Sequence, residues 1–573
     1  MKTLPKILCS IALLSMSSFV WASCPEGQEE NDRTGECVPI KGAAKRSVPS
    51  ADEVKQMIQG FIQSQPRNLR THEEGFSACG QTEEDQYQQD YPCTMQRYRK
   101  VRVTFPGRDF ILRYTPGANV GFVYPDDIRL MNGAIEIVES ADKNKWSVNF
   151  KIFDSDADSP WRTGESESQY GRMWIESANP ARIKVRIRGA LVNDDAVPPL
   201  VIGHKNLKSG SPYGGGMGDW FDEWHSIYPD GTFARTLTVY SGIAKKAQAG
   251  WSSGARGIPV ETQETMVWIP RGRTPLDVIE TEALTVVAMD GRYKKISYIP
   301  YPRRDSRDPP WMKGNNIKII NLKGKAVLSF TAIPDDDPDI KAYTKWGRDS
   351  TQLAQRVFVG WPRGSTWDRY QVTLVSLSHI INYQWHRRTD TSLTQVYLEG
   401  MIDNGSEEEK VGAALAITRS WLNPPAVTVD IKQGTLRYQR YDRESKAFLF
   451  KSTGTGSEPV DATIRFDASI DQPLVNPVLV LENYQHPNLK VSIPGADVSS
   501  DAIRYGVENK AGQSHTVVWI PYRAITPVAV KLSTNTSQQV QDHATKGTTE
   551  STHLCWDKVK KDTYVAINGD CYK

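Results

Sequence analysis

The stretch DWFDEWHSIYPDGTFAR, residues 219–235, packs two tryptophans, several carboxylates, a histidine, a tyrosine and an arginine around one tight turn. YPDG at 228–231 is hairpin punctuation, because Pro229 presets the first central position of a turn and Gly231 tolerates a positive φ. Its flanks then read as strands, in which alternate side chains point to opposite faces. Trp220, Asp222, Trp224 and Tyr228 fall on one face, and Phe221, Glu223, His225 and Ile227 on the other. The first set has the makings of a cleft floor, with aromatic rings to stack on sugars and polar groups to bind hydroxyls. The second sets Glu223 beside His225 among apolar neighbours, where a carboxylate can orient an imidazole and raise its basicity.

The same pattern extends on both sides. From 95 to 400 the chain is a series of short β-branched and aromatic runs such as YRKVRVTF, RIKVRIRGALV, RTLTVYS, ETMVWIP and KAVLSFTAI, broken by Gly, Pro, Asn and Asp. Alternation with turn signals marks antiparallel sheets, not βαβ units, so an all-β fold with a large antiparallel β-sandwich is expected here. SEEEKVGAALAITRSWL at 406–422 reads as a helix capped by Ser406, with acidic residues in its first turn and NPP to stop it. A helical connector over 401–425 then leads to a smaller C-terminal β-sandwich over 426–533. Residues 23–94 form a short cysteine-bearing segment with one helix, where Ser50 and Glu53 make a capping box and Val54, Met57, Ile58, Phe61 and Ile62 repeat at helical spacing. A polar tail occupies 534–573.

The first 22 residues carry Lys2 and Lys6, an apolar run and then small Ala22, the pattern of a cleavable signal peptide; the expected location is secreted or periplasmic, with surface attachment as the alternative. No later run has the ~20 apolar residues of a membrane-spanning helix. Beyond the signal, Cys24, Cys37, Cys79, Cys93, Cys555 and Cys571 fall into three sequence-local pairs, read as disulfides 24–37, 79–93 and 555–571. With 573 residues and a net charge of only +3, general attraction to nucleic acid is not supported.

Two further clusters carry candidate chemistry. In SLSHIINYQWHRR, 376–388, His379 and Tyr383 share one strand face while His386 lies on the other, followed by Arg387. In IGHKNLKSGSPYGGGMGDW, 202–220, His204 precedes a glycine-rich rim that lacks the lysine and helix of a phosphate loop. Asp154, Asp156, Asp158 and Glu165 match positions one, three, five and twelve of a calcium loop, although Ser159 replaces its glycine and a strand, not a helix, precedes it. Calcium is the one cofactor this suggests. No dinucleotide fingerprint, G-x-S-x-G elbow or H-E-x-x-H occurs, so no nucleotide or organic cofactor is expected.

The hairpin WFDEWHSIYPDGTFAR, with GWPRGSTWD at 360–368, SLSHI, LEGM and RSWLNPP at 419–425, resembles secreted bacterial polysaccharide-degrading proteins. Their long β region is similar to the galactose-mutarotase-like supersandwich, and polysaccharide lyases of the ulvan lyase kind are among the relatives it resembles. The resemblance implies β-elimination on a uronic-acid polysaccharide: a base removes the C5 proton, an acid protonates the leaving oxygen and a cation neutralises the carboxylate. In those roles stand His225 or His379 as base, Tyr228 or Tyr383 as acid and Arg235 or Arg387 on the carboxylate. Trp224 and Trp361 would be stacking platforms, His386 a further substrate contact and His204 a reserve candidate. A glycoside hydrolase would instead draw on Glu223 with Asp219 or Asp222, and a noncatalytic glycan-binding protein would use the same aromatics without a base.

Overall fold

The computed structural model describes residues 28–30, 37–39, 49–64, 76–81, 100–105, 108, 110–115, 119–126, 128–132, 136–139, 146–149, 171–190, 220–240, 260–269, 273, 275–296, 315–334, 339–341, 373–382, 386–389, 391–510, 512–534, 553–557 and 562–566. Met1–Val48 and Pro49–Lys573 are two compact units. In the first, Gln28–Glu30 pairs antiparallel with Cys37–Pro39. The remaining described elements belong to the second.

The hairpin read from YPDG is present, with strands β3 (Trp220–Ile227) and β4 (Phe233–Tyr240) in register from Trp220 opposite Tyr240 to Ile227 opposite Phe233. Gly231 takes φ 83°, and a Cβ there would lie 3.3 Å from the Phe110 ring, so the turn needs glycine for both conformation and space. Around the hairpin a ten-stranded sheet is built from β1 (Gly171–Ala178), β2 (Ile183–Ala190), β5 (Ile279–Ala288), β6 (Tyr293–Ile296), β7 (Asn315–Leu322), β8 (Val327–Ala332), β9 (Arg387–Arg388) and β10 (Ser392–Asp403). Its order is β1-β2-β3-β4-β10-β8-β7-β5-β6, and β9 pairs with β10.

A second ten-stranded sheet lies over one face of this one. It runs from Asp339–Lys341 and Thr373–Asn382 through Val260–Ile269 to Lys100–Thr104 and Ser77–Gln81, so it recruits a strand from before residue 95. Its Leu112, Tyr114 and Phe122 join Ile183, Phe221, Phe233 and Leu237 in one buried core. Burying such side chains contributes roughly 1.5–3 kcal/mol each.

Helix α1 (Ala51–Gln63) starts with the expected capping box between Ser50 and Glu53, and α2 (Glu407–Leu422) starts with another between Ser406 and Glu409. Val411, Ala413, Ala414, Leu415, Ala416, Ile417 and Trp421 of α2 are all buried. Such all-round burial makes α2 a core element. A Cβ at Gly412 would stand 2.3 Å from the Met57 carbonyl oxygen, so only glycine permits this approach of α1 to α2.

The C-terminal sandwich has a four-stranded sheet (Ala426–Gln433, Asp461–Asp467, Val528–Thr534, Leu489–Ser492) and a five-stranded one (Leu436–Asp442, Ala447–Ser452, Val478–Glu482, Gln513–Trp519, Arg504–Lys510). Phe448, Phe466, Leu481, Val518 and Leu532 fill the space between them. Val478, Val517 and Trp519 pack on Ala181 and Tyr228, covering the hairpin end of the large sheet from outside. This second cover explains why β4 is buried at every position except Tyr240. In the tail, His553–Asp557 and Asp562–Ala566 form a hairpin.

Candidate functional site

The two hairpin faces have different fates. Glu223 and His225 point between the two large sheets, where both are completely buried. There His225 Nε2 and Glu223 Oε1 are 2.7 Å apart, and Arg235 Nε donates to the same Glu223 oxygen at 2.6 Å. Arg235 also reaches Glu399 at 3.4 Å, and Tyr114 stands edge-on to the His225 ring with centroids 4.8 Å apart. Burial lowers the His225 pKa against the pull of Glu223. Glu223 is itself held below the usual carboxylate range: burial would raise it, but Arg235 and His225 together outweigh that. Burial raises Glu399 despite Arg235 and Lys318.

Tyr228 is also completely buried; its hydroxyl donates to the Ser445 carbonyl and burial pushes its pKa up to about 12. As placed, His225, Tyr228, Arg235 and Glu223 touch no solvent, so none of them meets a polymer without a separation of packed layers. The expected Glu–His contact therefore exists, but inside the core. Asp222 and Glu223 lie on opposite faces, which separates the two carboxylates a hydrolase would pair.

The outer face is built by register. Trp174 on β1 faces Arg186 on β2, and Arg186 faces Trp224 on β3. The Arg186 guanidinium lies 5.0 Å from the Trp174 ring centroid and 4.4 Å from that of Trp224, in cation–π range of both. The neighbouring row runs Arg188, Asp222, Thr238, Thr394 and Arg387 across five strands. Four interstrand steps make this row roughly 19 Å long. Asp222 binds Arg188 with two bonds of 2.7 Å and Arg186 at 3.3 and 3.1 Å. Burial would raise the Asp222 pKa, yet hydrogen bonds from Arg188 and Arg186 bring it below the ordinary value.

Arg387, with half its side chain exposed, makes bonds of 3.0–3.2 Å to Glu444, which stands on the turn Arg443–Ser445 of the C-terminal sandwich. His386 Nε2 lies 4.0 Å from the same carboxylate. Burial and then Arg443 lower its pKa, so its ring stays neutral at neutral pH. Tyr240 ends β4 on this face, its pKa raised by burial and by Asp222.

Of the residues expected from the sequence, this face assembles Trp224, Asp222, Arg387 and His386. His379 is placed only by its backbone, opposite Glu264 and Lys341 in the second sheet. His204, Trp361, Tyr383 and the calcium-loop residues Asp154, Asp156, Asp158 and Glu165 lie outside the described residues, as do the three cysteine pairings. Among the described residues, no three metal-ligating side chains converge, and no helix is long and apolar enough to cross a membrane.

Sequence reasoning missed Trp174, Lys184, Arg186, Arg188, Tyr240 and Glu444. A signal for part of this set was present in RIKVRIR, where Arg182, Lys184, Arg186 and Arg188 occupy every second position of one strand and so one face.

No protein-family model matches the sequence, and no curated protein matches it. Among solved structures the chain is similar to an aldose epimerase homologue from C. elegans, at 7% identity and a TM-score of 0.23 over 52% of this chain and 97% of that one. A galactose 1-epimerase from Lactobacillus acidophilus NCFM gives 6% identity and 0.23 over 55% and 98%. A polysaccharide lyase gives 8% and 0.17 over 79% and 46%. At such identities and TM-scores these likenesses assign the chain neither a family nor a role.

Proposed function

We propose that this is an exported carbohydrate-active protein that holds an acidic polysaccharide on the outer face of its large sheet and cleaves it by β-elimination. The observation that carries the reading is the cationic comb of β2, Lys184, Arg186 and Arg188, flanked on the neighbouring strands by Trp174 and Trp224. Indole faces suit sugar rings, and guanidinium groups bind carboxylates with two parallel hydrogen bonds. Asp222 and Glu176 hold the arginines in place, so their donors are fixed in direction before a ligand arrives.

Elimination needs a neutral base, a proton donor and a cation beside the substrate carboxylate. His386 supplies the base, Arg387 the cation and Tyr240 the phenol. The imidazole takes the C5 proton, the C4–O bond breaks, its electron pair leaves with the oxygen, and the phenol protonates that oxygen as a C4–C5 double bond forms. His379, Tyr383 and His204 remain proposed as alternative proton-transfer groups, Trp361 as a second platform and the 154–165 loop as a calcium ligand set.

The test is incubation of the mature protein with a panel of uronic-acid polysaccharides, with and without calcium, while the ultraviolet absorbance of the unsaturated uronate is followed. A rise abolished by His386→Gln supports the assignment. Reducing ends without that absorbance would indicate hydrolysis, and binding with neither product would leave a glycan-binding protein.

A further inference from the structure

The comb on β2 does not end at the edge of the exposed face. Lys184 continues it toward the C-terminal sandwich, with its ammonium 6.0 Å from the Trp224 ring centroid and 3.6 Å from Glu508. Glu508 belongs to the edge strand Arg504–Lys510 of the five-stranded sheet and stands opposite His515 on Gln513–Trp519. Alternation puts Lys510 on the same face as Glu508. Lys184, Lys510, His515 and Glu508 therefore meet where the β1–β2 hairpin abuts the sandwich.

This meeting point has more donors than acceptors. Glu508 is already occupied by Arg182, at 2.8 and 2.7 Å, and by the Ser177 hydroxyl at 3.1 Å. The backbone N–H of Asn483 donates to His515 Nδ1 at 3.2 Å, so the neutral ring carries its proton on Nε2. That Nε2 is buried and has no hydrogen-bond partner among the described residues. A buried donor left unmet is destabilising, and a bound acceptor would relieve that penalty. Burial first, then the neighbouring cation Arg182, lowers the Lys184 pKa, and Lys510 adds to this. For His515 the facing charges are Glu482 and Glu508 on one side and Lys510 and Lys184 on the other, and burial leaves its pKa lowered.

We infer that Lys184, Lys510 and His515 form an anion subsite that takes a carboxylate or sulfate ester of the same acidic polysaccharide, so that the C-terminal sandwich is part of the glycan-binding track. The inference rests on the functional reading above for its polymer, but not for its anion. Two ammonium groups and one N–H donor suit a compact oxyanion better than a sugar hydroxyl.

Two measurements on the full-length mature protein separate the possibilities. In the first, inorganic sulfate is titrated against protein labelled with ¹⁵N at histidine; the His515 Nε2 resonance is expected to shift saturably, and Lys510→Ala to weaken that response about tenfold. An unshifted His515 signal overturns the subsite whether or not any polysaccharide binds. In the second, calorimetry compares a sulfated polyuronate with its desulfated form, against wild type, Lys510→Ala, His515→Gln and Trp224→Ala. Losses in the Lys510 and His515 variants only with the sulfated chain identify a sulfate ester, and losses with both chains a carboxylate. Wild-type affinity in those variants with loss in Trp224→Ala removes the subsite but keeps the outer face. Sulfate binding without polysaccharide binding keeps the subsite and removes the polymer reading.

Discussion

Glu508 of the C-terminal sandwich and Arg182, which leads into β2 of the large sheet, form a buried, two-bond ion pair, at 2.8 and 2.7 Å. Burial would raise the Glu508 pKa, but Arg182 and Lys184 hold it down at about 2. An unperturbed glutamate titrates near 4.3, so this depressed group contributes stability that is fully present above about pH 4.3 and is lost as pH falls toward 2. The linked contribution is about 3 kcal/mol. Urea unfolding of wild type and Glu508→Gln between pH 2 and 7 should show a gap that is widest at neutral pH and closes in acid. A constant gap would mean that the pair does not couple folding to protons.

Glu223 and His225 are expected to matter for stability first. Glu223→Gln leaves the buried Arg235 with less compensation, and breaking such a pair costs about 3–5 kcal/mol. Melting temperature should fall sharply in Glu223→Gln and His225→Ala, while polysaccharide affinity measured well below the transition stays near wild type. Loss of cleavage in a His225 variant with unchanged melting would instead return that imidazole to the chemistry.

Trp224→Ala should weaken binding of an acidic oligosaccharide about tenfold, as expected for a stacking ring that also positions Arg186. Indole fluorescence should respond to ligand in wild type. An equal affinity in the variant would take the glycan off this face.

The lowered His386 pKa sets the sign of the pH profile. A base must be unprotonated, so the acid limb of cleavage should lie below the ordinary imidazole value of 6.5. Replacing Arg443 by Met removes a cation that favours the neutral ring and should move this limb upward. An unmoved limb would assign the base elsewhere.

Gly412→Ala should separate α1 from α2 and destabilise the protein by about 1–3 kcal/mol, because its Cβ would meet the Met57 carbonyl at 2.3 Å. Denaturant unfolding checks this directly. A neutral result would place the helices further apart than described.

Both capped helices and the YPDG turn were legible in the sequence because each depends on a few neighbouring residues: a hydroxyl three positions before a glutamate, or a glycine where φ must be positive. The alternation of β3 likewise divided Asp222 and Trp224 from Glu223 and His225, since pleat geometry is local. Alternation says that two faces exist; it does not say what covers each one. Only the tertiary structure put the second sheet against His225 and the C-terminal sandwich against Tyr228, burying two residues expected to do chemistry. The tertiary structure also brought Arg387 from β9 into the same row as Arg188 from β2. Cross-strand register is set by long-range pairing and packing, and no short window of sequence contains it.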